Sequence, residues 1–506
     1  MRAGVLEFVV CAGARNASLV EALAAAEAAG HVRLWRHFEE RSAGFFALGR
    51  SMATGQPCAV VTTSGTASAE LLPSVIEAFH QARPLVAITA DRPAAFRGTG
   101  APQSIEQPGI FGPHAHQDGL ESWDGHGPVH LNVELGENFE PLPYQAPSPG
   151  VFTPARPRLD VSGLARWLRD DPSRGLLVMI GGLEPDDREE VFHFCRDLNA
   201  PVVAEASSGL REALAGLAVH DADRILRHKP PGKILRLGDV PSGRFWRDLE
   251  GLQGVSVWSV CRNGLPGLAR DSQVTCGPVE RVLKALGTVD ALDDAIDLLA
   301  GAPARAARIN ELLECHPDSE PAMVRALSHF ACLGGGLFLG NSLPIREWNQ
   351  FAQWGRPLTE ARTNRGANGI DGQVSTWLGW SAELDNSWAL LGDLTTLYDS
   401  AACFVLDQLP AKNRTLAVIN NRGGRIFERL PRLATMSTRT AECLTNPHDA
   451  NLAGLAAMWR MEHLQIRTAD DFDKLDSRGS GPLLLELLPD ARQTADFWRN
   501  WELIAP

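Results

Sequence analysis

No apolar run in this chain comes near the roughly 18 residues that would cross a bilayer. The opening Met1-Arg-Ala-Gly-Val-Leu-Glu-Phe-Val-Val10 is too short and acid-interrupted for a signal peptide. A cytoplasmic protein is therefore expected. The nine cysteines (Cys11, Cys58, Cys195, Cys261, Cys276, Cys315, Cys332, Cys403, Cys443) include no C-x-x-C pair, which argues against a zinc or disulfide framework and for buried thiols in a reducing compartment. Basic excess is also missing. With 48 Lys and Arg against 61 Asp and Glu, the net charge of −13 disfavours nucleic acid as a partner, so any affinity for anions must come from local arginines. Gly181-Gly182 follows a strand-like run but lacks the G-x-G-x-x-G pattern and reads as structural. There is no low-complexity segment and no short-period repeat.

What is present, 506 residues at 44% apolar and 22% charged, suffices for about three domains. Two breaks divide it. Pro141-Leu-Pro-Tyr-Gln-Ala-Pro147-Ser-Pro149-Gly150, continuing to Pro154 and Pro157, reads as a stiff extended connector, and alanine-rich helix gives way near Gly301–Pro321. The expected domains are 1–145, 158–305 and 318–506. In the first, strand-like Glu7–Cys11, Val32–Trp35, Cys58–Thr62 and Pro84–Thr89 alternate with helical stretches to Gly30 and Gln81. The middle segment repeats this rhythm, with a helix over Pro185–Asn199 between Gly175–Ile180 and Pro201–Ala204, then strands at Lys233–Leu237 and Val255–Val260. The expected class is α/β, with three doubly wound parallel-sheet domains.

In the third segment, Gly392-Asp393-Leu394 follows the apolar run Trp388–Leu391, and Asn420-Asn421-Arg422-Gly423-Gly424 follows Thr415–Ile419. Leu397–Gln408 between them reads as a crossover helix. Both turns then lie at the carboxyl ends of parallel strands, where open α/β sheets bind phosphates. A magnesium ion takes oxygen ligands in octahedral array and shares its shell with substrate or cofactor phosphates. Asp393 and Asn421 can each supply a side-chain oxygen and Gly423 a backbone carbonyl, leaving places for a diphosphate and a water. Taken singly, each turn is equally well ordinary loop punctuation. As a spaced pair they resemble the signature of thiamine diphosphate-dependent decarboxylases and carboligases. That cofactor requires a carboxyl group beside its aminopyrimidine ring nitrogen. Arg36-His-Phe-Glu-Glu-Arg-Ser42, after a strand, offers Glu39 and Glu40, although Glu39, Glu40 and Arg41 fit the solvated first turn of a helix as well.

Across nearly the whole chain a further set of strings is similar to one family. They are His37-Phe-Glu-Glu-Arg41, Thr63-Ser-Gly-Thr-Ala67, Thr89-Ala-Asp-Arg-Pro93, Gln107-Pro-Gly109, Gly340-Asn-Ser-Leu343, Asn364-Arg-Gly-Ala-Asn-Gly-Ile-Asp-Gly372, Gly392-Asp-Leu394 and Asn420-Asn-Arg-Gly-Gly-Arg-Ile-Phe427. The family is that of the 2-succinyl-5-enolpyruvyl-6-hydroxy-3-cyclohexene-1-carboxylate synthases, transferases of menaquinone (vitamin K2) biosynthesis, in which Gly-Asp-Leu is usual. The resemblance implies thiamine diphosphate with Mg2+ or Mn2+, and decarboxylation of 2-oxoglutarate with conjugate addition of the succinyl carbanion equivalent to isochorismate. It makes 1–145 a shortened pyrimidine-binding domain and 318–506 the diphosphate and metal domain. By the same resemblance Glu40 activates the cofactor and acts in catalysis with Arg365 and Arg346. Thr63, Gly65, Ile370, Asp393, Leu394, Asn421, Ile426 and Phe427 bind the cofactor, Ile370 bending it, and Asp393, Asn421 and Gly423 hold the metal.

Both substrates are dianions, which suits guanidinium forks. Arg15, Arg92, Gln103 and Ser342 are the implied substrate contacts with Arg346 and Arg365, and Arg244 is a weaker match from the middle domain. The assembly implied is a homodimer or dimer of dimers, with Glu40 and Asp393 of one site on different chains. Two other readings compete: another thiamine diphosphate carboligase or decarboxylase, such as an acetohydroxyacid synthase with a flavin in its middle domain, or a non-catalytic paralogue serving as a binding subunit. The Thr89–Pro93 string and the arginines speak against the first, and Glu40, Asp393 and Asn421 against the second. The chain departs from the family at Ala14 and Pro102, where polar contacts are usual. It also lacks a helix before the first strand and is short between Phe111 and Gly127, so uncovered apolar sheet surface and reduced stability are expected of the first domain.

Overall fold

The computed structural model describes all residues except 2, 137–143, 145, 147–149, 156–157, 293–296, 359, 430–434, 478 and 504–506. Most of the expected proline-rich connector lies outside the described residues. The chain forms two compact units. The first comprises Met1–Arg156, Asn364–Glu383 and Thr395–Ala411, and the second Pro157–Thr363, Leu384–Leu394 and Lys412–Pro506.

The first unit holds a five-stranded parallel sheet of β1 (Glu7–Cys11), β2 (Arg33–His37), β3 (Cys58–Thr62), β4 (Leu85–Asp91) and β5 (Val129–Glu134), in the order β2-β1-β3-β4-β5. The run Cys-Ala-Val-Val-Thr of β3 is buried throughout, as a central parallel strand covered on both faces must be. Helix Gln373–Trp380, from the 364–383 piece, packs on helix Glu40–Thr54 at Gly49 and Gly379. A Cβ on Gly49 would stand 2.2 Å from the Thr376 carbonyl oxygen, and one on Gly379 2.2 Å from that of Phe46, so the two backbones touch only because both residues are glycine.

The second unit carries two parallel sheets. One contains β6 (Leu176–Ile180), β7 (Val202–Ala204), β8 (Lys233–Leu237), β9 (Ser256–Cys261) and β10 (Gln273–Cys276), ordered β10-β9-β8-β6-β7. The other contains β11 (Gly336–Leu339), β12 (Glu360–Arg362), β13 (Asn386–Gly392), β14 (Asn413–Ile419), β15 (Glu462–Ile466) and β16 (Pro482–Leu487), ordered β12-β11-β13-β14-β16-β15. All registered pairs are parallel, which gives the expected α/β class with doubly wound sheets.

Two expectations need correction. Leu397–Gln408 is not one crossover helix: a short helix Asp393–Tyr398 is followed by a 3-10 stretch Ala402–Gln408. Thr395 and Thr396 are weak helix formers, Leu409-Pro410 stops any continuation, and Asp399 turns inward to accept hydrogen bonds from Ser375 N at 2.7 Å, Ser375 Oγ at 3.0 Å and Ser42 Oγ at 3.0 Å. The short stretch 111–127 also does not leave the sheet bare. Leu120 and Trp123 pack on the cluster of Val5, Phe8, Val10, Ala59, Val61, Val86 and Val129, and His116 forms a single parallel bridge to Val129.

Candidate functional site

In the first unit Arg15, Glu40, Thr63, Gly65 and Arg92 each follow the carboxyl end of a strand. After β1, Gly13 lies so close to Thr63, which follows β3, that a Cβ there would be 2.5 Å from the threonine side chain. Arg15 Nη1 donates to the carbonyls of Leu135 (3.3 Å) and Gly136 (2.8 Å), just past β5. Gly65 has φ +83°, and a Cβ on it would meet Gln103 Cα at 3.0 Å. Arg92 Nε donates to the Pro102 carbonyl at 3.0 Å. The structure thus brings Arg15, Thr63, Gly65, Arg92 and Gln103 into one loop cluster at the top of the sheet. Buried Gln107 ties it together, accepting from Gly65 N at 3.1 Å and donating to Ala90 O at 3.0 Å and Asn132 Oδ1 at 2.8 Å.

After β2, Glu39 and Glu40 separate into different duties. Glu39 is the N-cap of helix Glu40–Thr54 and accepts from Arg41 N at 3.1 Å and Ser42 N at 2.9 Å. Glu40 is half-buried and takes no side-chain hydrogen bond from another residue among those described. Burial lifts its carboxyl above the ordinary range, and the nearby Glu39 and Glu70 push in the same direction against a backbone hydrogen bond at Glu40 itself. Arg365 is buried on a loop whose next two amides, Gly366 N and Ala367 N, each donate at 2.7 Å to the buried Glu77 carboxylate. Ile370 is 37% exposed, an unusual setting for a large aliphatic side chain next to a pinned loop.

In the second unit, Gly340-Asn-Ser342, Gly392-Asp393 and Asn420-Asn421 follow the neighbouring strands β11, β13 and β14, where the strand order reverses. Asp393 is 2% exposed. Its Oδ1 accepts from Leu394 N at 2.6 Å and its Oδ2 from Gly423 N at 2.9 Å, so the loop after β14 closes over the carboxylate. Gly423, at φ +134°, is required there, because a Cβ would lie 2.4 Å from the Thr445 carbonyl. Asn421 Nδ2 donates to Glu320 Oε2 at 3.0 Å. The Gly423 carbonyl accepts from Arg425 N at 2.9 Å and keeps a second lone pair. Ile426 and Phe427, half-buried, continue in the 3-10 turn Arg425–Arg429. Ser342 (φ +74°) precedes helix Leu343–Phe351, and Arg346 on that helix donates back to its carbonyl. Arg244 is half-exposed and faces Asp248 at 3.7 Å, while Asn349 Nδ2 donates to Ser242 Oγ at 3.3 Å and ties that loop to the helix of Arg346.

A divalent cation fits these residues. Burial raises the Asp393 carboxyl above its ordinary range, opposed by the amides of Gly423 and Leu394, and among the described residues no lysine or arginine pairs with it. The neighbouring cationic candidate is His448, whose buried Nε2 lies 3.3 Å from Oδ2 without hydrogen-bond geometry. A buried carboxylate with so little compensating charge, under a turn that carries an amide side chain and a carbonyl, is a hard-cation donor set. Among the described residues no group of three or more His, Cys, Asp and Glu is placed to hold a metal ion, so the donors here are of mixed kind. His448, Glu77 and Glu320 escape a reading of the sequence, because each acts on a partner many positions away and sits in no spaced motif.

Comparison with known proteins agrees with this geometry. Residues 1–110 match the family described as "Thiamine pyrophosphate enzyme, N-terminal TPP binding domain". The chain is 49% identical to the 2-succinyl-5-enolpyruvyl-6-hydroxy-3-cyclohexene-1-carboxylate synthase of Akkermansia muciniphila, over 97% of this chain and 94% of that protein. It is 37% identical to the synthase of that name from Bdellovibrio bacteriovorus, over 99% and 96%. Its fold is similar to a crystal structure of benzoylformate decarboxylase from Polynucleobacter necessarius, with a TM-score of 0.74, 14% identity and 96% coverage of each chain.

Proposed function

We propose, from the premise that this chain belongs to the 2-succinyl-5-enolpyruvyl-6-hydroxy-3-cyclohexene-1-carboxylate synthase family, that it is a thiamine diphosphate-dependent transferase joining the succinyl unit of 2-oxoglutarate to isochorismate in menaquinone biosynthesis. The observation that carries the reading is the buried Asp393 carboxylate closed under the Asn421–Gly423 turn at the strand switch. Asp393, Asn421 and the Gly423 carbonyl would hold Mg2+ or Mn2+, which would supply the positive charge that a diphosphate needs there. Thiamine diphosphate, when bound, supplies the electron sink for decarboxylation. Glu40, uncommitted to any cap, shares a proton with the aminopyrimidine ring nitrogen, and the burial that raises its carboxyl favours the protonated form it needs there. Thr63, Gly65, Leu394, Ile370, Ile426 and Phe427 shape the cofactor pocket, with Ile370 as the bulky wedge.

The dianionic substrates are read by Arg15, Arg92, Arg346 and Arg365, helped by Gln103 and Ser342 and, more distantly, by Arg244. Arg15 and Arg92 are already held by backbone carbonyls, which fixes their direction before substrate arrives. Purified protein with thiamine diphosphate, Mg2+, 2-oxoglutarate and isochorismate should release carbon dioxide and form the coupled product. Turnover of pyruvate in place of 2-oxoglutarate would point instead to a different carboligase.

The same reading makes the protein a cytoplasmic homodimer or dimer of dimers. Among the described residues no helix is long and apolar enough to cross a membrane. Phe38 (59% exposed) and Tyr398 (51%) put large apolar surface on the outside of the first unit, which favours association. Co-expressed Glu40→Gln and Asp393→Asn chains, each inactive alone, should recover activity in mixed dimers if the two residues of a site come from different chains. Sites wholly within one chain would stay dead in the mixture.

A further inference from the structure

Two carboxyl groups are buried beside the proposed metal ligands and have no part in the scheme above. Glu320, 2% exposed, begins helix Glu320–Ala331, and Glu347, 1% exposed, lies within helix Leu343–Phe351. The two carboxyls lie close enough to act on each other's charge. Glu347 Oε1 also accepts from Arg429 Nη2 at 2.8 Å, and that guanidinium stacks on Trp498 at 3.3 Å. Glu320 Oε2 accepts the amide of Asn421. The remaining oxygens, Glu320 Oε1 and Glu347 Oε2, are buried and take no hydrogen bond among the described residues.

Removing two carboxyls from water is costly, and an apolar pair of similar volume would serve packing at least as well. Helix capping does not explain Glu320 either. Ser319 already caps this helix, and the Glu320 amide is spent on Thr494 Oγ1 at 3.0 Å. What the pair does do is choose the orientation of an asparagine. An Asn side chain presents a donor on one side and an acceptor on the other, and a carboxylate oxygen takes only the donor. With Nδ2 held by Glu320, Oδ1 is the atom left to face the Asp393 and Gly423 loop.

We propose that Glu320 is a positioning residue for the divalent cation. It turns Asn421 so that an oxygen rather than an NH2 group is offered to the metal. The inference rests on the assignment of Asp393, Asn421 and Gly423 as metal donors. Outer-shell partners of this kind are worth roughly 10 to 100-fold in metal affinity.

Titration of Mn2+ into each variant at saturating thiamine diphosphate tests it by calorimetry, without reference to turnover. Glu320→Met should weaken Mn2+ binding within that range. Glu320→Gln, whose amide oxygen can still accept from Asn421 while its NH2 meets Glu347, should bind close to wild type. Adding Asn421→Asp to Glu320→Met should recover affinity, since either side-chain oxygen of the aspartate can serve, a rescue that mere destabilisation of the helix would not allow. Should Glu320→Met not fold, the near-isosteric pair decides. Asn421→Asp alone should bind Mn2+ weakly with a carboxylate facing it, and Asn421→Asp with Glu320→Gln should bind more tightly. Wild-type affinity in a folded Glu320→Met, or no recovery in either double variant, overturns the proposal. Asp393→Asn separates the two levels: unchanged Mn2+ binding there defeats the metal assignment itself, whereas lost binding there with normal binding in Glu320→Met defeats only the role of Glu320.

Discussion

The Asp393 cluster of the second unit and the Glu40 cluster of the first are built on opposite plans. At Asp393 the carboxylate is buried, takes two backbone amides and lies under a turn that only glycine can make, so little needs to move when an anion and its cation arrive. At Glu40 the carboxyl is half-buried and uncommitted, while its neighbour Glu39 does the capping. A group that must hold charge is fixed by backbone and burial. A group that must exchange a proton is left unpaired with its acidity shifted. The two sides should therefore fail in different ways when altered: the first in affinity, the second in rate.

The largest effect is expected at Asp393. Asp393→Asn removes the one carboxylate of the donor set and should weaken thiamine diphosphate binding in the presence of Mg2+ by more than the roughly 100-fold upper range of outer-shell changes. Calorimetry equal to wild type would erase the contrast between the two sides. Next come the arginines. Arg365→Ala and Arg346→Ala should each lower kcat/KM by the equivalent of roughly 2 to 4 kcal/mol, the scale of a lost charge-assisted contact in a closed site, with cofactor affinity unchanged. Full activity in both would remove the guanidinium reading of the dianions.

The smallest effect belongs to Asp399, whose carboxyl is pushed up from 3.8 to about 6, first by burial and against the hydrogen bonds from Ser375 and Ser42. Since the folded value lies above the unfolded one, this group's contribution to stability is full below about pH 4 and is lost as pH rises through about 6. The melting temperature of Asp399→Asn should thus trail wild type most in acid and close part of the gap by pH 7. A gap independent of pH would mean that Asp399 titrates normally.

Much of the scaffold is legible in the sequence because central parallel strands are apolar runs bounded by turn residues. Cys58–Thr62 and Lys233–Leu237 are strands with the expected bounds, and Asp393 and Asn421 stand at strand ends as their flanking runs require. The helix expected over Leu397–Gln408 is not there, since its interruption depends on Asp399 meeting Ser42 and Ser375, partners that local propensity does not register. Glu39 and Glu40 are indistinguishable as letters, and only the cap geometry separates them. Glu320 and His448 were illegible for the same reason: their partners, Asn421 and Asp393, are brought to them by the folding of the sheet rather than by spacing along the chain.

The most direct test of the division between holding and activating is made on one variant with two readouts. Glu40→Gln protein is loaded with thiamine diphosphate and Mg2+, its affinity is measured by calorimetry, and hydrogen–deuterium exchange at the thiazolium carbon is followed by quenched-flow NMR. The expected result is affinity near wild type with exchange slowed by roughly 10²-fold or more, the usual scale for a lost general acid or base. Exchange at the wild-type rate, or affinity and exchange falling together, would contradict it.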